Sequence, residues 1–244
     1  MIRAELFKAG ATRSVWWLGA IAALFCVGWA VVDVALWLGD RPGDAAIESA
    51  YSMAGQGYLF AMIVGVLLVA GDYRHQTITW AFLMSPRRSR VVVAKLAACA
   101  VVGLIVGLAA AVVTSVATAV LLSTGGHPVF TAGVPLALLG SVASTALWTV
   151  FGGALGALVR NQTAAVVVAF VWFFYAEWFL VMLVPAVGRW TPTGAAKAVS
   201  GWTREAMPVA GDLLPAWAGG LVFLAYAAVA VALAGVTSTR RDVT

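Results

Sequence analysis

Long apolar runs broken by short polar stretches set the pattern of this chain. Residues 15–38 are apolar apart from Asp33, and comparable runs follow at 51–70, 91–122, 134–159, 163–185 and 213–236. About 20 apolar residues make a helix that crosses a hydrocarbon core of roughly 30 Å, whereas barrel strands alternate with a dyad period that these runs lack. The pattern predicts an all-α integral membrane protein with six transmembrane helices in one domain, 1–244. The run at 91–122 is too long for one straight crossing, so its first turns are expected at or below the interface, with tilt absorbing the rest. The apolar region of a secretory signal is shorter, about 7–15 residues, so 15–38 reads as a retained first span.

The polar stretches decide the orientation. Residues 1–14 carry Arg3, Glu5, Lys8 and Arg13, and Ile2, Leu6 and Ala9 can share one face, which predicts an N-terminal interfacial helix. Residues 39–50 read as a polar loop punctuated by Pro42 and Gly43, and 123–133 as a short loop without Lys or Arg. Residues 160–163 form a tight connection. In 186–212, Pro192 and Pro208 argue against a continuous helix, so short helices are expected over the outer vestibule, with Trp190 and Trp202 at the interface. With the N-terminus inside, eleven of the fifteen Lys and Arg residues fall on the cytoplasmic side and only Arg41, Arg189, Lys197 and Arg204 on the other. That bias places both termini in the cytoplasm, in a multi-pass protein of a plasma membrane.

Composition agrees and narrows the function. The chain is 63% hydrophobic and 10% charged, against about 45–50% and 25% in soluble domains. Its net charge of +5 is spread over short loops, which suits topology and anionic lipid rather than nucleic acid. Cys26 and Cys99 each sit inside an apolar run and read as buried small hydrophobes, with no metal site implied. No phosphate-binding loop, zinc-protease motif or nucleophile elbow is present. His75 and His127 lie in loops on opposite sides of the membrane and cannot act together. An intramembrane enzyme needs titratable groups converging at one depth. Only Asp33 and Glu177 fall within spans, so no catalytic residues are assigned and the chain reads as non-enzymatic.

Those two acids are weighed differently. Asp33 is near the outer end of its span and is expected to reach the interface. Glu177 lies about 21 Å from the inner end of the fifth span at roughly 1.5 Å per residue. It could meet a cationic substrate or gate an outer exit. The preferred reading is a carboxyl hydrogen-bonded to a neighbouring helix beside Trp172, Tyr175 and Trp178. The spacings Gly103/Gly107 and Gly152/Gly156 permit close helix approach.

The densest polar segment, 71–95, carries the most specific signal. Asp72-Tyr73-Arg74 marks a membrane exit, and 77–84 can form about two helical turns with Ile78, Ala81 and Phe82 on one face. Ser85-Pro86 ends that helix, because the residue before proline is pushed out of helical geometry. Arg87, Arg88, Arg90 and Lys95 then serve as anchors at the membrane surface.

The order Gly71-Asp72-Tyr73-Arg74-His75-Gln76-Thr77-Ile78-Thr79, followed by Phe82-Leu83, Ser85-Pro86-Arg87-Arg88 and Lys95, resembles the membrane subunits of bacterial exporter-type ABC transporters, the type 2 permease family. Glu5, Lys8, Arg13 and Trp17 resemble that family's N-terminal approach helix. Glu177, Pro185 and Trp190-Thr191-Pro192, with Gly194-Ala195, resemble its fifth span and outer connection. Asp72 stands where Glu is commoner and Gln76 where Gly is usual. The resemblance implies a permease subunit with a cytoplasmic coupling helix between spans two and three. Asp72, Tyr73, Arg74, His75, Thr77, Ile78 and Phe82, with Arg160 in the second cytoplasmic turn, would couple it to an ATPase. The partners implied are two ABC ATPase copies, which carry the ATP and magnesium, a second permease chain and membrane lipid, with no cofactor on this chain. An ATP-independent channel, scramblase or receptor-like subunit is the alternative. Trp16, Trp17, Phe173 and Phe174 suit an amphiphilic substrate and lipid contact equally.

Overall fold

The computed structural model describes residues 2–40, 43–74, 88–201 and 213–240. Among them every regular element is helical and none is a strand. In lipid this follows from the backbone, which must satisfy its own N–H and C=O groups. The elements are α1 (Ile2–Ala11), α2 (Arg13–Trp37), α3 (Gly43–Ser52), α4 (Tyr58–Arg74), α5 (Arg88–Thr124), α6 (Val134–Val159), α7 (Gln162–Val171), α8 (Glu177–Leu183), α9 (Pro192–Val199) and α10 (Ala216–Arg240). Six stretches are long and apolar enough to cross a membrane: Arg13–Trp37, Gly43–Arg74, Arg90–Thr124, Val134–Val159, Gln162–Leu183 and Ala216–Leu233.

Two elements differ from the sequence-based expectation. The stretch read as a polar loop contains α3, which buries Ala46, Ile47, Ala50 and Tyr51 on one face. Its acids misled the pattern. Asp44 sits in the first turn, where a negative charge favours helix, and the Glu48 carboxylate accepts from Thr131 Oγ1 at 3.2 Å. Tyr51 then donates to the Val129 carbonyl at 2.7 Å, binding α3 to the connection between α5 and α6. The second difference is a π-helical turn at Trp172–Ala176 between α7 and α8. A widened turn of this kind inserts one residue, rotating the downstream helix face by about 100°. The third span is a single helix, as its length allowed, and 185–199 forms a 3₁₀ segment (Pro185–Trp190) and α9, with Pro192 in the first helical turn.

α6 is the centre of the bundle. α4 and α5 pack most extensively on it, and α10, α3, α7 and α9 add further contacts. Small residues make this possible. Gly152 of α6 lies against the Met62 backbone, Gly65 of α4 against the backbone of Thr149 and Gly153, and Gly103 of α5 against Ala146 and Thr149. Both glycine spacings in the sequence therefore serve helix crossings within the chain. Around them Met62, Trp148, Ala169, Ala195 and Phe223 belong to one buried cluster. α2, α7 and α8 turn large apolar side chains outward, including Trp17, Leu24, Val167 and Trp178, as helices bordering lipid do. Cys26 and Cys99 are buried and unbridged.

The α4–α6 crossing makes a direct prediction. Gly152→Val places a methyl where the Met62 backbone stands and should destabilise the bundle by at least the 1–3 kcal/mol typical of overpacking (order of magnitude). Gly28→Ala faces open space and should leave the detergent melting temperature unchanged. Equal melting temperatures for the two variants would contradict this packing.

Candidate functional site

Two polar centres sit at opposite ends of the bundle. The first joins α1, α4 and α5. Asp72 is in the last turn of α4 and 2% exposed, and Lys95 is in the second turn of α5 and 4% exposed. Their side chains form a buried ion pair. Lys95 also donates to Glu5 Oε1 at 2.8 Å, and the second Asp72 oxygen is bonded to Lys8. Two acids and two bases thus neutralise one another, fastening α1 beneath the ends of α4 and α5. Burial and the charge of Lys95 push the Lys8 pKa down, with Glu5 partly restoring it. A cavity of about 160 Å³ opens beside the cluster, lined by Glu5, Lys8, Thr12, Asp72 and Gln162 among others.

The neighbouring residues divide into those the structure brings together and those it does not. Tyr73 is half-buried and lies under the Arg160 guanidinium, 5.9 Å from ring centroid to carbon. Arg160 closes α6 in the left-handed region, φ 57°, a conformation costing a non-glycine residue on the order of 1–2 kcal/mol. Asn161 follows as the cap of α7, its side chain accepting from Ala164 N at 3.0 Å. Arg74 ends α4 exposed and Arg90 is exposed in the first turn of α5. Arg88 opens α5. His75, Thr77, Ile78, Phe82 and Arg87, and with them the expected coupling helix, lie outside the described residues. Lys95 departs from its assignment as a surface anchor. It is buried and committed to Asp72 and Glu5, because it sits on the face of α5 that packs inward. That role was hidden because its partner Glu5 is ninety positions away.

The second centre is built by the π turn. After it, Glu177 is the one buried residue of α8, while Trp178, Phe179, Met182 and Leu183 are exposed. Its Oε1 accepts from Thr193 N at 2.9 Å and its Oε2 from Thr193 Oγ1 at 2.7 Å. Thr191 caps the same terminus, its hydroxyl accepting from Gly194 N at 3.1 Å. The carboxylate therefore lies where the α9 dipole favours negative charge, a contact worth about 0.3–1 kcal/mol exposed and up to roughly 2 when partly buried. Of the two roles open for Glu177, the hydrogen bond to a neighbouring helix is the geometry observed. Asp33 is wholly buried rather than at the interface, since the face of α2 that carries Ala22, Cys26 and Ala30 turns inward. Burial pushes the Lys197 amine down to about 8, with Glu177 opposing.

Among the described residues no three His, Cys, Asp or Glu side chains converge as a metal site. Compared with known families and with curated proteins, the chain matches no family model and no curated protein. What the described residues define is a class, a helical fold with six helices of membrane-crossing length and apolarity.

Each centre can be tested by substitution. Asp72→Ala leaves the buried Lys95 charge with Glu5 as its one remaining acid and should cost up to about 3–5 kcal/mol, whereas Asp72→Ala with Lys95→Met should recover much of that loss. Additive losses in a double-mutant cycle of detergent stability would exclude the pair. For Lys197, the lowered pKa means that the folded chain binds fewer protons than the unfolded chain between about pH 8 and 10.5. Its contribution to stability therefore rises with pH through that window. Relative to Lys197→Gln, the wild-type melting temperature should gain on going from pH 8 to pH 10; a constant difference would refute it.

Proposed function

We propose that this chain is the permease subunit of an ABC exporter in a bacterial plasma membrane, coupled to a separate ATPase. The reading rests on the resemblance over 71–95. The observation that supports it most is mechanical. Segment 75–87, where the ATPase would dock, is flanked by Asp72 and Lys95, and these two are bonded to each other and to α1. A load applied between α4 and α5 would thus reach three helices together instead of unravelling one helix end. From α4 it would pass into α6 through the close crossing at Gly65 and Gly152.

In this reading Arg74, exposed at the end of α4, faces the ATPase, while Arg160 and Tyr73 brace the second turn against the first. α1 lies along the interface, and Arg87, Arg88 and Arg90 hold the start of α5 to headgroups. A second permease chain would complete the pathway. The bundle needs no nucleotide site of its own, because hydrolysis would occur on the partner.

The test is co-expression with the phosphate-loop ATPase that this reading expects in the neighbouring reading frame. The wild-type chain should co-purify with it and raise its ATP turnover in nanodiscs. Arg74→Glu should lower that stimulation severalfold without changing the melting temperature. An ATPase that neither co-purifies with the wild type nor responds to it would favour a channel or scramblase working without ATP.

A further inference from the structure

Trp148, in the middle of α6, is wholly buried, and aromatic rings fix its position. Tyr58 stacks on it at 5.6 Å, and Phe151 and Phe223 meet it edge-on at 5.8 and 4.9 Å. Yet its indole Nε1–H has no acceptor among the described residues. A buried donor left without a partner costs about 1–3 kcal/mol, and tryptophan in a core ordinarily finds one. The same indole lines a cavity of about 10 Å³, the space of roughly one water molecule. Around that space stand Gln56, Tyr58, Ser144, Thr193, Lys197 and Ser200. The Ser200 hydroxyl is already engaged, donating to the Lys197 carbonyl at 3.1 Å. A larger ligand has no room here. A water fits, since it needs two to four polar partners.

We propose that this cavity is a binding site for one structural water, which accepts the Trp148 indole proton of α6 and is held by Lys197 of α9 and by Gln56, just ahead of α4. The water lies one step from the Glu177–Thr193 contact and extends that polar centre across the bundle. It stands independently of the exporter reading. The depressed Lys197 pKa accords with a polar but confined setting.

The experiment is NMR on the full chain in nanodiscs with ¹⁵N-labelled tryptophan. There are eleven indole N–H signals to separate, and Trp148→Phe assigns the relevant one by its disappearance. If that variant does not accumulate, Tyr58→Leu assigns it by the shift from the lost stacked ring. The wild type should show a rotating-frame Overhauser cross-peak between the Trp148 indole proton and water, with the sign of a bound molecule rather than of chemical exchange. Ser144→Val, which fills the space with methyl groups, should abolish that cross-peak and leave the other ten indole signals in place. Ser144→Ala should retain it, which excludes relay through the Ser144 hydroxyl. A wild type without the cross-peak, its survival in Ser144→Val, or its loss in Ser144→Ala would overturn the proposal.

Discussion

Where α4 crosses α6, the backbone of Met62 rests directly on Gly152, and Gly65 rests on the backbone of Thr149 and Gly153. Helices in lipid gain little from burying apolar side chains against one another, because the tails around them are equally apolar. Close packing and interhelical polar contacts must hold them together. Small residues supply the closeness here, and the consequences spread outward. With α4 and α5 drawn against α6, their ends are near enough for Asp72 and Lys95 to pair, and α1 can close over them through Glu5 and Lys8. At the other end α9 is seated close enough to receive Glu177 and to leave only a water-sized space beside Trp148.

The two polar centres solve one problem differently. A charge removed from water is costly unless its partners are excellent. Asp72 and Lys95 meet this with opposite charges from three helices, which couples those helices mechanically. Glu177 meets it with a helix terminus, taking the N–H and hydroxyl of Thr193, which couples the fifth span to the segment after it. The π turn is what aims Glu177 inward. Without the inserted residue the next turn would present a different side chain to α9.

Much of this was legible from the pattern of residues. The six spans follow from run length, since the backbone in hydrocarbon has no other spanning form for runs without dyad alternation. The short helices of 185–199 were legible from Pro192, and the glycine spacings from their period. The segment after the second apolar run stood out because charge is rare in this chain. Failures arose where polarity and burial part company. α3 looked like a loop because Asp44 and Glu48 are acidic, although one serves the first helical turn and the other a hydrogen bond. Asp33 and Lys95 looked like surface residues because they are charged, although both are buried.

By itself, then, the sequence determined six runs long and apolar enough to cross a membrane, the cluster of charge at 71–95 and the absence of a phosphate loop. These depend on local composition and period, which a chain carries wherever it folds. Only the tertiary structure decided that Asp72 shares its oxygens with Lys8 and Lys95, that Glu177 caps α9, and that the Trp148 indole finds no acceptor among the described residues beside a small cavity. Each joins residues far apart in the chain through helix rotation and crossing distance. Period alone does not encode those, because a single inserted residue, as at Trp172–Ala176, is enough to change which face looks inward.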